Sequence, residues 1–313
     1  MVTSKDVESF IQKNIGKDNF SFLSGYFNFA SDSRFYCADV ILDTYKKLDK
    51  GLLGKEFDIE KINNIKSTLS VDLLSKVMMS IEDLGAIIIA LTDLKKFTKT
   101  FLSVKPYEAR GIIKEISTKD NKFFFELLTY PDVDSLPLDE EEKKFLSDMY
   151  ERDIAVLKKL FLKISEFVER HNKAFVKSKH GYPILMGIET TPFADGIDMM
   201  IPVITEPAPK TRVILSGIKI VELYFKLIRT TTRLVKELIS SKLNMIQTAG
   251  FKKPFLFSHC AISEEEKKKI EEINKKCSKG IEIIPINIKL LIEGKNDDIK
   301  NLVEFFEKDW YFE

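Results

Sequence analysis

LDEEEKKFLSDMYERDIAVLKKLFLKISEFVERHNKAFVKSKHGYP, residues 138–183, runs without a break from a helix-start signal to a helix-stop signal. Asp139 stands as N-cap with Glu142 three residues on, an arrangement in which each side chain takes up a backbone N–H left free at the start of a helix. Gly181 and Pro183 are stop signals, so the spacing predicts a single helix reaching about Ser178, far longer than usual. Projected at about 100° per residue, Leu157, Phe161, Ile164, Val168 and Phe175 fall on one face, with His171 at its edge. Arg170, Lys173, Lys177 and His180 fall on the opposite face. A helix of this kind buries one side and shows the other to solvent, and the rest of the fold has to supply its partners.

Working towards the N-terminus, the same period recurs. Leu73, Leu74, Val77, Ile81, Leu84, Ile88 and Leu91 follow the i, i+3/i+4, i+7 rule, and Ile87 to Leu91 is apolar all round. That segment is expected at the centre of a bundle, with Ile87 to Ile89 buried. Gly85 inside it costs about 1 kcal/mol relative to Ala, and close helix packing is the usual compensation. Lys105-Pro106 interrupts, and YEARGIIKEI reads as a short helix. KFFFELLTYPDVDSLPL, residues 122–138, reads as a Pro- and Asp-rich connection.

Beyond the long helix the pattern changes. YPILMGI, DMMIPVIT and TRVILSG are short apolar, β-branched runs divided by TTPFADG and EPAPK, as in a small sheet or hairpin. Ile218 to Gln247 returns to helical period. Ser263 with Glu266 caps SEEEKKKIEEINKKC, IEIIPINIKLLI is a strand candidate, and NDDIKNLVEFFEKDW reads as a last helix. The fold class expected is mainly α, a helical bundle with a small β element inserted after a long helix. The bundle would occupy 1–250 with the β insertion near 182–216, and 251–313 would form a small α/β region, separate or part of the same domain.

Composition removes several functional classes. At 313 residues, 44% hydrophobic and 31% charged, the chain is an ordinary globular one, and a net charge of +1 leaves only a local patch to attract a polyanion. No run approaches the ~18 consecutive apolar residues of a membrane span. MVTSKDVESF carries charges where a signal peptide needs an apolar core, so a cytoplasmic location without membrane association is expected. Cys37, Cys260 and Cys277 are isolated and form no CxxC pair, so neither disulfides nor zinc are predicted, and no cofactor loop of the GxGxxG or GxxxxGK[ST] type is present. Asp195 and Asp198 read as turn residues, and His259 beside Cys260 lacks companion ligands.

Two places carry residues suited to chemistry. At the end of the long helix, His180 titrates near neutrality and stands among Lys173, Lys177, Lys179 and Arg170, cations able to hold a phosphodiester. The competing reading is a solvated face, because Glu166 to Arg170 and Glu169 to Lys173 are i, i+4 pairs in the favourable orientation. In SIEDLGAIIIAL, residues 80–91, Glu82 precedes an apolar wall at whose edge a carboxylate can be held.

The run S-I-E-D-L-G followed by apolar helix is similar to the S-x-E-E-x-G-K helix of HEPN-type bundles, notably those of abortive-infection proteins of phage defence. The later K-S-K-H-G resembles the second half of such bundles. Six residues separate Lys173 from His180, where that family spaces an Arg from its His, and Ala86 stands where the family helix often has Lys. The resemblance implies metal-independent RNA cleavage or RNA binding, with His180 as acid and base, Lys173 and Lys177 on phosphate, and Glu82 orienting them. The alternative is a non-catalytic bundle that binds another protein or a second copy of itself.

Overall fold

The computed structural model is mainly helical, as the hydrophobic period requires; it describes residues 3–130, 132–179, 199–204, 211–216, 218–247, 255–258, 263–277 and 284–287. In chain order the helices are α1 (Ser4–Asn14), α2 (Lys17–Gly25), α3 (Ser33–Asp49), α4 (Ile59–Leu91) and α5 (Phe97–Ser103). They continue as α6 (Pro106–Ile116), α7 (Asn121–Leu128), α8 (Glu140–Lys179), α9 (Ile218–Gln247) and α10 (Glu264–Lys276). A π-helical turn at Tyr26–Ala30 follows α2. Two short backbone ladders accompany them: β1 (Met199–Ile204) runs antiparallel to β2 (Thr211–Ser216), and β3 (Phe255–Ser258) runs parallel to β4 (Ile284–Asn287).

The helix starts are set by the residues that signalled them. The Asp139 N–H donates to Glu142 Oε2 at 3.2 Å and the Glu142 N–H donates to Asp139 Oδ1 at 2.9 Å, closing the capping box that launches α8. Ser263 and Glu266 do the same for α10, at 3.1 and 2.8 Å. Pro106 sits in the first turn of α6, where its missing N–H is no loss.

One expectation fails. Residues 121–128, read as part of a connection, form α7. Asp120 caps it by accepting from the Phe123 N–H at 2.9 Å, while Thr129, at φ 57°, ends it in the left-handed region. Phe124, Leu127 and Leu128 are buried, so tertiary burial of one face outweighs the weak helix propensity of a Phe-rich segment only two turns long.

The chain divides into two units. The first comprises Met1–Ser31, Asp83–Ser165 and Arg233–Glu313; the second comprises Asp32–Glu82 and Glu166–Thr232. In the first, Asn19 ties α2 to the start of α5: its Nδ2 donates to the Lys95 carbonyl at 2.7 Å and its Oδ1 accepts from the Thr98 N–H at 3.0 Å. Phe22, Tyr26, Phe97 and Phe101 cluster above that junction, with Phe97 and Phe101 stacked at 6.1 Å. Leu84, Ile87 and Ile88 of α4 are fully buried, and Ile89 is half-buried. In the second unit, Thr231 Oγ1 of α9 donates to Ser80 Oγ of α4 at 2.6 Å, a buried polar link satisfied on both sides. Phe35 packs on Phe225 at 5.4 Å, and Lys46 pairs with Glu222 at 2.8 Å, joining α3 to α9.

No helix among the described residues is long and apolar enough to cross a membrane. The stop signals Gly181 and Pro183, the run YPILMGI, Asp195, Asp198, His259, Cys260 and the segment NDDIKNLVEFFEKDW lie outside the described residues.

Candidate functional site

The apolar stripe of α8 is buried along its length: Leu157, Phe161, Ile164, Val168 and Phe175 are each at most 3% exposed. His171 lies half-buried at its edge, its ring 4.4 Å from Phe167 and 6.2 Å edge-on to Tyr224, so the imidazole is an aromatic packing partner. Arg170, Lys173, Lys177 and Lys179 belong to α8 by their backbone, but their side chains, and His180 altogether, lie outside the described residues. Glu82 is half-buried in α4, two residues after the Ser80 link to Thr231. Of the expected site, therefore, the helical scaffold is described, and the meeting of Glu82 with His180 is not.

A second constellation, which the sequence reading passed over, lies in the first unit. Asp153 projects from α8 into the core at 1% exposure. Its Oδ2 accepts the Tyr130 hydroxyl at 3.2 Å, while its Oδ1 is buried without a hydrogen-bond partner. Tyr130 stacks on Tyr150 at 4.2 Å between centroids and 17° between planes, and the Tyr150 hydroxyl is likewise buried without a partner. Burial pushes the Asp153 carboxyl up to about 8, against the lowering effects of the Tyr130 hydroxyl and of Arg152. Burial also raises Tyr150, helped by Cys277 and by Asp153 itself. Arg152 gives one nitrogen to another acid: its Nη1 donates to Glu266 of α10 at 3.0 Å, while its Nε and Nη2 are buried without hydrogen-bond partners.

Glu142 is the other acid on the same stripe, at 7% exposure, and it is treated differently. Lys276 of α10 pairs with it, and also reaches Asp139 at 3.5 Å; Lys269 pairs with Glu141 at 2.9 Å. One buried carboxylate thus has a cation and the other has a phenol. The signal for both was present, since positions 142 and 153 share the face of Leu146, Leu157 and Ile164 under helical projection. An acid on an apolar stripe is the informative case of a buried polar group.

Among the described residues no group of three or more His, Cys, Asp and Glu side chains is placed to hold a metal ion. Comparison with protein families, with curated proteins and with solved structures finds no match for this chain.

Proposed function

We propose that the C-terminal part of α8 is a contact surface for single-stranded RNA, at which His180 supports metal-independent cleavage, as the resemblance to HEPN-type bundles of defence proteins implies. The observation that carries this reading is the burial of the α8 stripe as far as Phe175. On one continuous helix that phase puts positions 170, 173 and 177 on the side away from the core, a row of cations at helical spacing. Lys173, Lys177 and Lys179, with Arg170, neutralise phosphates, and Glu82 orients the group. His180 takes the proton of a ribose 2′-hydroxyl, the 2′-oxygen bonds to the adjacent phosphorus, and the 5′-oxygen leaves and is protonated. Lysine in place of the family's arginine gives a point charge where a bidentate fork would sit, which suits phosphate attraction more than rigid positioning. In this reading β1 and β2 are the small β element inserted after α8, within a helical region 1–250 followed by a small α/β region 251–313, and the protein works in the cytoplasm.

The test is single-stranded RNA incubated with the full chain in EDTA, wild type beside His180→Ala. Cleavage by wild type with loss in His180→Ala supports the reading; neither binding nor cleavage by wild type overturns it. A second reading, a non-catalytic protein that associates with a partner or with itself, is favoured by the outer face of α3, where Tyr36 and Val40 stand one turn apart at 63% and 66% exposure. A concentration-dependent mass in sedimentation that Val40→Lys abolishes would select it.

A further inference from the structure

The strongest feature that RNA chemistry leaves unused is the buried Asp153. A carboxylate with one hydrogen bond, no bonded cation and 1% exposure would be a charge in an apolar core. Burial outweighs the neighbours, since the Tyr130 hydroxyl and Arg152 both favour the ionised form and do not offset the loss of solvent. Tyr130 approaches from the turn after α7, and Tyr150 and Arg152 from α8. Cys277 approaches Tyr150 from the end of α10, and Glu142 approaches Cys277. The only cation in that set, Arg152, is held by Glu266. A neutral acid fits, since it keeps an acceptor for Tyr130 and brings no charge into the apolar core.

We infer that Asp153 is a neutral carboxylic acid in the folded protein and acts as a proton-dependent latch between the Tyr130 turn and α8. The turn has a second anchor that does not titrate. The Thr129 hydroxyl and Ser241 Oγ of α9 are hydrogen-bonded to each other, and whichever of the two accepts in that bond donates to the Leu128 carbonyl, which lies 2.6 Å from the first and 2.7 Å from the second. Losing the Asp153 proton leaves a charge in the core that the Tyr130 hydroxyl alone does not offset, so the α8 side of the turn becomes the weaker anchor while the α9 side stays in place.

The sign of the effect follows from linkage. The folded carboxyl lies at about 8 and the unfolded one near the ordinary 3.8, so between these values the folded state holds a proton that the unfolded state has lost. Stability falls as pH rises through that window and levels off above it.

Urea unfolding of the full chain between about pH 5 and 9 reads this directly, because exposed carboxylates are already ionised there. The expected result is a midpoint that declines towards pH 8 in wild type and a flatter profile in Asp153→Asn, which keeps the shape of the neutral acid. Equal slopes in the two proteins overturn the inference. Should Asp153→Asn fail to fold, infrared titration of the otherwise native chain decides. Glu237 is also raised by burial, so the background is Glu237→Gln. A carboxylic-acid C=O band that persists at neutral pH and disappears near pH 8 supports the latch, and its absence at neutral pH overturns it.

Discussion

A β-carbon built on Gly85 would lie 2.1 Å from the carbonyl oxygen of Ala109. Helices α4 and α6 therefore touch backbone to backbone at this point, and only glycine permits it. Gly85→Ala would ordinarily stabilise a helix by about 1 kcal/mol. Here overpacking against a rigid backbone reverses the sign, and a net loss of about 1–3 kcal/mol is expected from urea midpoints. A gain in stability would mean that α6 yields to the added methyl group.

The two tyrosines around Asp153 are expected to behave in opposite ways. Tyr130→Phe removes the carboxyl's one donor and should cost about 1–3 kcal/mol. Tyr150→Phe removes a buried hydroxyl that has no partner and keeps the stacked ring, so it should be neutral or slightly stabilising. Thermal melts of both variants at one pH check the pair. Equal losses would show that the Tyr150 hydroxyl is satisfied in solution.

Helical phase in α4 can be read by truncation. Ile88 is fully buried and Ile89 half-buried, although both lie in one apolar run. Ile88→Ala should cost about 2–5 kcal/mol and Ile89→Ala distinctly less. Similar losses would place the whole run in contact with the core.

What the sequence made legible was whatever local chemistry and period determine together. Asp139 with Glu142 and Ser263 with Glu266 fixed two helix starts to the residue, and the α8 stripe from Leu157 to Phe175 gave the buried face. Gly85 announced a close approach, but only the fold identifies Ala109 as what it meets. α7 was hidden because three consecutive phenylalanines before a Tyr-Pro pair carry no helical period, and burial decides them. Asp153 was legible as an acid on an apolar stripe. Its phenolic partner came from Tyr130, 23 residues away in sequence, a contact that no local pattern encodes. His171 was placed correctly at the core edge, while its aromatic neighbour Tyr224 comes from a different helix.

The last prediction concerns the cationic row of α8. Every phosphate neutralised by a lysine releases condensed counterion, so the logarithm of RNA affinity falls with the logarithm of salt by about 0.7 per contact on a single strand. Lys173→Ala and Lys177→Ala lie away from the buried stripe by helical phase and should change stability by no more than about 0.5 kcal/mol. Each should weaken binding of single-stranded RNA and make the salt dependence shallower by about 0.7, and the double variant should lose about twice that. Leu162→Ala, one of the exposed apolar positions of α8, should leave the slope unchanged. Fluorescence anisotropy over a series of salt concentrations measures the wild type and all four variants with one labelled RNA. A weaker affinity with an unaltered slope would show that the lysines do not meet phosphate, and the exposed face of α3 would then be the surface to pursue.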